Sequence, residues 1–249
     1  MKKNNELTFN DFKNLAKNPK LSRYEKIGFP NSYRKGKSES IIEDIDSKIP
    51  LLRTKNKTVI DIGCGCSDLT TNLIKITEKN GHKLILVDSE EMLNLLPNAP
   101  HVVKYAGYFP DIQELFDKYT GRIDYAITYS VFHYIFTESN IYSFIHKTID
   151  LLKNGGLLLI GDIPNISKRR RFLQSEEGVK FQQNCQKFNK RNINKGWTFH
   201  NDIDLKIDDA VVLSILMRYR NYGCETYLMP QKDNLPMANR REDILIVKR

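Results

Sequence analysis

Apolar residues along this chain fall into short continuous runs, separated by stretches in which they recur every three or four positions. Thr58 to Ile62 is one such run, and it stops at Gly63. From Asp68 to Lys79, Leu69, Leu73 and Ile76 keep to one side of a helix that Gly81 ends. These positions predict a strand, a glycine turn and a helix. Lys83 to Val87 predicts a second buried strand, ending on Asp88, and Ser89-Glu90-Glu91-Met92-Leu93 opens a helix with a hydroxyl N-cap and early acids, closed by Pro97 and Pro100. Val102 to Ala106 predicts a third strand, Asp111 to Tyr119 a helix and Ile123 to Tyr129 a fourth strand. Asn140 to Lys153 predicts a helix stopped by Asn154-Gly155-Gly156, and Leu157 to Ile160 is a fully apolar fifth strand. Strands and helices alternating in this order predict an α/β fold with a mostly parallel, doubly wound sheet and right-handed crossovers.

The tail departs from that rhythm. Asp209 to Arg220 predicts a helix ended by Gly223, and Cys224 to Met229 and Asp243 to Lys248 predict two strands able to pair antiparallel at one edge. The whole is then a Rossmann-like, seven-stranded sheet. Asn165 to Leu205 is too long for an ordinary loop and contains a helical stretch near Arg171 to Phe188, which suggests a helical lid. In residues 1–55 apolar positions are scattered among Lys and Asn, which suggests one or two helices over the open side of the sheet. The expected division is an N-terminal cap, 1–55, and a core, 56–249, with the lid at 165–205.

A hydrophobic fraction of 40% and a charged fraction of 28% suit a globular protein. The net charge of +9 favours anionic partners, whether phosphorylated metabolites, nucleotide-activated sugars, nucleic acid or anionic lipid. The polar start carries no apolar signal core, and no apolar run approaches the roughly 20 residues of a membrane span, so a cytoplasmic protein without membrane contact is expected. Cys64 and Cys66 stand one residue apart, while Cys185 and Cys224 stand alone without clustered histidines, so neither a disulfide framework nor a metal site is expected.

In an open α/β sheet, ligands bind beyond the carboxyl ends of the strands where strand order reverses, beside the first strand-to-helix turn. Here that turn runs from Asp61 through Gly63, Cys64 and Gly65 to Asp68. The glycines let the backbone turn tightly and approach a ligand, but the third glycine of a dinucleotide fingerprint is replaced by Asp68. Acids flanking the turn oppose a pyrophosphate and suit a ligand with cationic groups, such as the sulfonium and ammonium of S-adenosylmethionine. Asp88, 27 residues after Asp61, stands where a carboxylate accepts hydrogen bonds from ribose hydroxyls.

Val59-Ile60-Asp61-Ile62-Gly63-Cys64-Gly65 resembles the first motif of the class I S-adenosylmethionine-dependent methyltransferases, and the resemblance runs from about Thr58 to Arg249. Asp88 matches the acid that holds the ribose in that family, and Ser89 to Leu93 the helix start after it. Tyr129-Ser130-Val131-Phe132-His133-Tyr134-Ile135 resembles the segment that borders both cofactor and acceptor, and Leu152 to Gly156 the turn before the fifth strand. The resemblance implies S-adenosylmethionine as cofactor, contacted by Asp61, Gly63, Cys64, Gly65, Asp88, Ser89, Gly107, Tyr108 and Ser130. Many relatives carry an acid after the third strand; this chain has Ala106-Gly107-Tyr108-Phe109, so adenine is expected to meet backbone groups and the Tyr108 ring.

Methyl transfer from sulfonium chiefly needs alignment, exclusion of water and sometimes removal of a proton. The proline-rich signature of exocyclic-amine methylation and the Pro-Cys pair of cytosine C5 methylation are both absent. For a hydroxyl acceptor, His133 is the candidate general base, ahead of His200 and Asp162; a packed core residue or a pocket wall is the alternative reading. Two basic clusters, Tyr33-Arg34-Lys35-Gly36-Lys37 and Lys168-Arg169-Arg170-Arg171, supply candidate substrate contacts in Tyr33, Arg34, Lys35 and Arg169, with a solvated surface as the alternative and the cofactor carboxylate as a second use for Arg34. Phe172, Phe181, Phe188 and Trp197 serve either as acceptor walls or as packing. Gly28 to Arg34 together with Asn239 to Asp243 look similar to methyltransferases of bacterial surface-glycan pathways. The resulting expectation is methylation of a small anionic or sugar-like acceptor, on oxygen, in surface-polysaccharide biosynthesis. RNA methylation and a non-catalytic adenosyl-ligand binding module are the alternatives.

Overall fold

A computed structural model of the chain describes residues 7–192 and 207–249, and only the backbone of 185–192. Four helices precede the first strand: α1 (Phe9–Lys17), α2 (Arg23–Lys26), α3 (Asn31–Arg34) and α4 (Ser38–Lys48). There follow β1 (Thr58–Ile62), α5 (Asp68–Lys79), β2 (Lys83–Asp88), α6 (Glu90–Leu93), β3 (Val102–Ala106), α7 (Gln113–Tyr119) and β4 (Ile123–Tyr129). Next come α8 (Phe132–Glu138), α9 (Ile141–Leu151), β5 (Leu152–Pro164), α10 (Ile166–Gln174) and α11 (Glu176–Asn192). The chain closes with α12 (Asp209–Asn221), β6 (Glu225–Pro230) and β7 (Arg241–Val247). No described helix is long and apolar enough to cross a membrane.

The strands form one seven-stranded sheet in the order β3-β2-β1-β4-β5-β7-β6. The first five are parallel, and β7 runs antiparallel to both β5 and β6, as the tail pattern predicted. β1 lies between β2 and β4, so strand order reverses there and a crevice opens above the carboxyl end of β1. The central strands are apolar without alternation because helices cover both faces of the sheet. Ile60, Ile85 and Ala126 face α7, α8, α9 and α12, while Val59, Leu84 and Ile127 face α4, α5 and α6.

Three differences from the sequence pattern have physical causes. The helix expected to reach Lys153 ends at Leu151, because Leu152 is already extended and pairs with Ile123. α5 buries Thr70, Leu73, Ile74 and Thr77, a face rotated from the expected one so that Thr77 returns its hydroxyl to the Leu73 carbonyl at 2.8 Å. α4 is no part of a loose cover. Its Ile41, Ile42 and Ile45, with Ile49 beyond its end, lie at 5% exposure or less against Val59, Leu73 and Leu84. At about 1.5–3 kcal/mol for each buried side chain, α4 is anchored as a layer of the sheet.

α1, α2 and α3 are held differently. α1 buries only Ala16; beyond that the Phe9 and Phe12 rings meet Tyr108 and Tyr134 edge to face, the Phe9 N–H donates to Glu138, and Lys17 pairs with Glu91 at 3.1 Å. Thr8 with Asp11, and Ser22 with Glu25, form capping boxes that start α1 and α2. Exposed ion pairs contribute about 0–1 kcal/mol each, so α1 is the least firmly attached of the three, whereas α3 is tied down by the buried pair of Arg34 with Asp162.

A chain of buried charges joins this region to the strand ends. Lys48 donates to Asp44 at 2.5 Å and to Asp243 at 2.6 Å, and Asp243 accepts the Asp162 N–H at 2.8 Å. Arg241 donates to the Asp162 carbonyl at 2.9 Å, and Arg34 to the Asp162 carboxylate at 2.8 Å. Breaking such a pair strands a buried charge. Lys48→Met is expected to cost about 3–5 kcal/mol in urea unfolding, and adding Asp243→Asn to recover part of that loss; an unchanged midpoint would show that Lys48 is dispensable.

Candidate active site

A cavity lies between α1–α3 and the carboxyl ends of the strands, and its walls come from every part of the crevice. The turn after β1 supplies Gly63, Cys64, Gly65 and Ser67, the end of β2 supplies Asp88, and the segment after β3 supplies Gly107, Tyr108 and Phe109. Tyr129, Ser130, Val131 and Tyr134 line it from the end of β4 and from α8. Phe9, Phe12, Tyr24, Ile27, Phe29 and Arg34 close it from the N-terminal helices, and Ser38 and Ile41 from α4.

The turn is shaped by what touches its glycines. Gly63 and Gly65 have φ of +74° and +61°, and a Cβ on them would come within 2.7 Å of Val131 and of Ile27 respectively. Only glycine satisfies both the left-handed backbone and the close approach. The Gly65 N–H donates to Asp88 Oδ2 at 2.8 Å and the Ser89 N–H to Asp88 Oδ1 at 2.7 Å, so the carboxylate is fixed in orientation at the cavity wall. Each of its oxygens keeps a further lone pair for a ligand hydroxyl. Burial pushes Asp88 up to about 6, against the pull of those two N–H groups, and burial together with Asp88 pushes Asp61 up to about 7. Ionised, the two make a negative patch under the turn that a cationic ligand would neutralise.

These features fit S-adenosylmethionine. A tight glycine turn admits the backbone approach, Asp88 offers acceptors to a ribose, Tyr108 and Phe9 present rings edge to face at 5.2 Å, and the acids favour positive charge. Of the residues expected to contact the cofactor, Gly63, Cys64, Gly65, Asp88, Gly107, Tyr108 and Ser130 line the cavity. Asp61 and Ser89 lie beneath the wall, at 6% and 2% exposure. Ser89 caps α6 through Met92 and, by its N–H, holds Asp88 in place.

Several expected residues stand elsewhere. Asp68 does not face a ligand: Arg23 donates to it at 2.7 Å and the Tyr24 hydroxyl also donates to it, so it tethers α2 to the start of α5. His133, the expected base, is buried on α8 and is absent from the cavity wall. Burial first, and then Arg241, push it down to about 3, and its Nδ1 has no hydrogen-bond partner. Its ring lies 4.0 Å from that of Tyr134, and it feels the charges of Arg241, Asp162 and Arg34. Tyr33 is half-buried on α3, Lys35 is exposed and Arg169 is buried on α10; none of the three lines the cavity, which leaves Arg34 of that group. Lys168, beside Arg169, donates to the Arg241 carbonyl.

Residues 165–184 of the expected lid, whose side chains are described, supply no wall residue; Phe172 and Phe181 pack on each other at 5.6 Å. His200 and Trp197 lie outside the described residues, as does the side chain of Phe188. Among the described residues the cover comes from the N-terminal segment over the open side of the sheet, through Phe9, Phe12, Ile27 and Phe29. Their signal was the pair of capping boxes ahead of aromatic positions.

At the floor, Arg34, Ser130 and Asp162 meet. Arg34 donates to both, and the Ser130 hydroxyl donates to Asp162 at 2.5 Å. Ser130 and Asp162 have φ of +63° and +60°, a conformation uncommon outside glycine. It arises where β4 ends and where β5 bulges between Ile160 and Ile163 against β7. Burial alone would raise the Asp162 carboxyl, but Arg241 and Arg34 hold it below the ordinary value.

Asp61 gives a stability test. Its carboxyl sits higher in the folded chain than in the unfolded one, so its protonation supports folding at low pH and that support is lost as pH rises through about 7. Asp61→Asn is expected to melt higher than the parent at pH 8, with the gap narrowing toward pH 5. Parallel melting curves across that range would contradict a strongly raised Asp61.

The methyltransferase domain family model matches residues 53–207, well over half of the chain. No curated protein matches the chain by sequence. Among solved structures, the plantazolicin methyltransferase BpumL, in complex with a monoazolic desmethylPZN analog and SAH, is similar with a TM-score of 0.57 at 12% identity, over 97% of this chain and 98% of that one. A putative S-adenosylmethionine-dependent methyltransferase from Listeria monocytogenes is similar at 0.52 and 13% identity, over 85% and 99%. A SAM-dependent methyltransferase from Aquifex aeolicus is similar at 0.51 and 13%, over 91% and 97%. At these identities the likeness is one of fold. The family match, together with the reversed strand order above a glycine turn and a carboxylate at the end of β2, makes this chain a member of the methyltransferase domain family, an S-adenosylmethionine-dependent enzyme of the class I fold.

Proposed function

We propose that the chain transfers a methyl group from S-adenosylmethionine to an oxygen of a small, anionic or sugar-like acceptor enclosed beneath α1–α3. The observation that carries this reading is the cover itself. Phe9, Phe12, Ile27 and Phe29 close the crevice from above, so the space beside the glycine turn suits a compact ring stacked on aromatic walls. Bound there, S-adenosylmethionine supplies an electrophilic methyl carbon on its sulfonium. In this reading Asp88 holds the ribose hydroxyls, Gly63 and Gly65 let the backbone approach, and Gly107, Tyr108 and Phe9 bound the adenine.

The chain's own part in the transfer is alignment and exclusion of water. With His133 buried and off the cavity wall, this reading routes no deprotonation through it. The reading therefore favours an acceptor oxygen that arrives ionised, such as a carboxylate or an acidic hydroxyl, which agrees with a net charge of +9. The structurally similar BpumL was solved with a monoazolic desmethylPZN analog together with SAH, which supports a site shared by donor and organic acceptor here. A role in surface-polysaccharide biosynthesis remains part of the proposal through the residues Gly28–Arg34 and Asn239–Asp243. RNA methylation is the weaker alternative, because a duplex or loop cannot enter beneath the closed helices as they stand.

Calorimetric titration of S-adenosylhomocysteine into Asp88→Ala is expected to show at least about a tenfold loss of affinity, as two hydroxyl-to-carboxylate bonds disappear, in a variant that still unfolds cooperatively. Equal affinity in the two proteins would remove Asp88 from the site. A non-catalytic binding module would bind the donor yet release no S-adenosylhomocysteine when incubated with hydroxy acids and sugar acids.

A further inference from the structure

We infer that Arg34 is the receptor for a ligand carboxylate. Its side chain is 8% exposed, yet it lines the cavity. Nη2 is committed to Ser130 and to Asp162, whereas Nε is buried without any hydrogen-bond partner. A buried donor left unpaired costs about 1–3 kcal/mol, and a ligand oxygen is the group that can relieve it here.

The surroundings select the shape of that ligand group. The guanidinium stacks on the Phe29 ring at 4.2 Å and stands 5.7 Å from the Tyr129 ring centroid. With Phe29 against the guanidinium and Nη2 engaged by Ser130 and Asp162, the unpaired Nε edge is what a partner meets, and an anionic oxygen suits it best. A carboxylate oxygen satisfies this with one charge-assisted bond from Nε, the donor left unpaired. A phosphate would bring tetrahedral oxygens and a second charge beside Asp162.

Two sources bring a carboxylate to this place, and the inference rests on the proposed reading of the cavity as the donor and acceptor site. Arg34 sits over the ends of β4 and β5, beyond the glycine turn as seen from Asp88. Either the amino-acid end of the donor or an acid group on the acceptor can arrive there.

Titrations of the wild type, Arg34→Gln and Arg34→Lys separate these sources. The first ligands are S-adenosylhomocysteine and 5′-methylthioadenosine, which lacks the amino-acid end. If the donor carboxylate is held, both variants lose about tenfold or more in affinity for S-adenosylhomocysteine and bind methylthioadenosine as the wild type does. If an acceptor acid is held, both nucleosides bind all three proteins alike. Benzoate, but not benzamide, then binds the wild type loaded with S-adenosylhomocysteine and fails to bind either variant.

Equal weakening of both nucleosides would mean that Arg34 only braces α3, and would overturn the inference. So would full retention of S-adenosylhomocysteine and benzoate binding in Arg34→Gln, or recovery of both by Arg34→Lys, since lysine keeps the charge without the fork. Failure of methylthioadenosine to bind the wild type would instead overturn the site reading, and this inference with it.

Discussion

Three cations and three anions, buried together at the ends of β4, β5 and β7, tie this structure into one piece. Arg34 reaches Asp162, Arg241 reaches the same residue, and Lys48 bridges Asp44 to Asp243, which in turn accepts the Asp162 N–H. Each charge is balanced within the cluster, so none has to be solvated, and the loss of one leaves its partner stranded in a low-dielectric interior. The cluster has a geometric consequence as well. It holds Asp162 at a bulge and Ser130 in a left-handed turn, so that Ser130 lines the cavity beneath the N-terminal helices with the Asp162 carboxylate bonded behind it.

Around this point the molecule divides by how firmly its parts are held. The sheet and α4 are fixed by fully buried isoleucines, leucines and valines, so the glycine turn and Asp88 stand on a rigid frame. α1 and α2 bring few buried apolar residues and lean on Arg23, Lys17 and the Phe9 N–H, each meeting an acid of the core, while α3 is pinned at one end by Arg34. Elements with few buried apolar contacts open at the lowest free-energy cost. A closed cavity that must exchange a nucleoside-sized ligand needs such an element, and these helices supply it. The raised carboxyls of Asp61 and Asp88 complete the arrangement, because ionic groups that are costly in the empty site become useful when a cation arrives.

The sheet was legible because its central strands are covered on both faces and so read as unbroken apolar runs; β1 and β4 match their predicted bounds. The glycine turn and Asp88 were legible for a related reason, since backbone geometry restricts which residues stand there. α4 was not, because Glu39, Glu43, Asp44 and Asp46 surround its isoleucines and make it resemble a surface helix. α8 escaped notice because no capping residue announces it, and the direction of His133 depends on which face that helix turns inward. The pairing of Arg34 with Asp162 spans 128 residues and has no local signature. Asp68 was correctly marked as unlike a dinucleotide fingerprint, but its partners proved to be Arg23 and Tyr24 and not a ligand.

The central claim is that one ligand site is built jointly by the strand ends and the N-terminal helices. Hydrogen–deuterium exchange with and without S-adenosylhomocysteine tests it most directly. Binding is expected to slow exchange both in the glycine turn and the Asp88–Ser89 region and across α1–α3, the protection of the two rising together with ligand concentration. Protection confined to the turn, with α1–α3 unchanged, would contradict the claim.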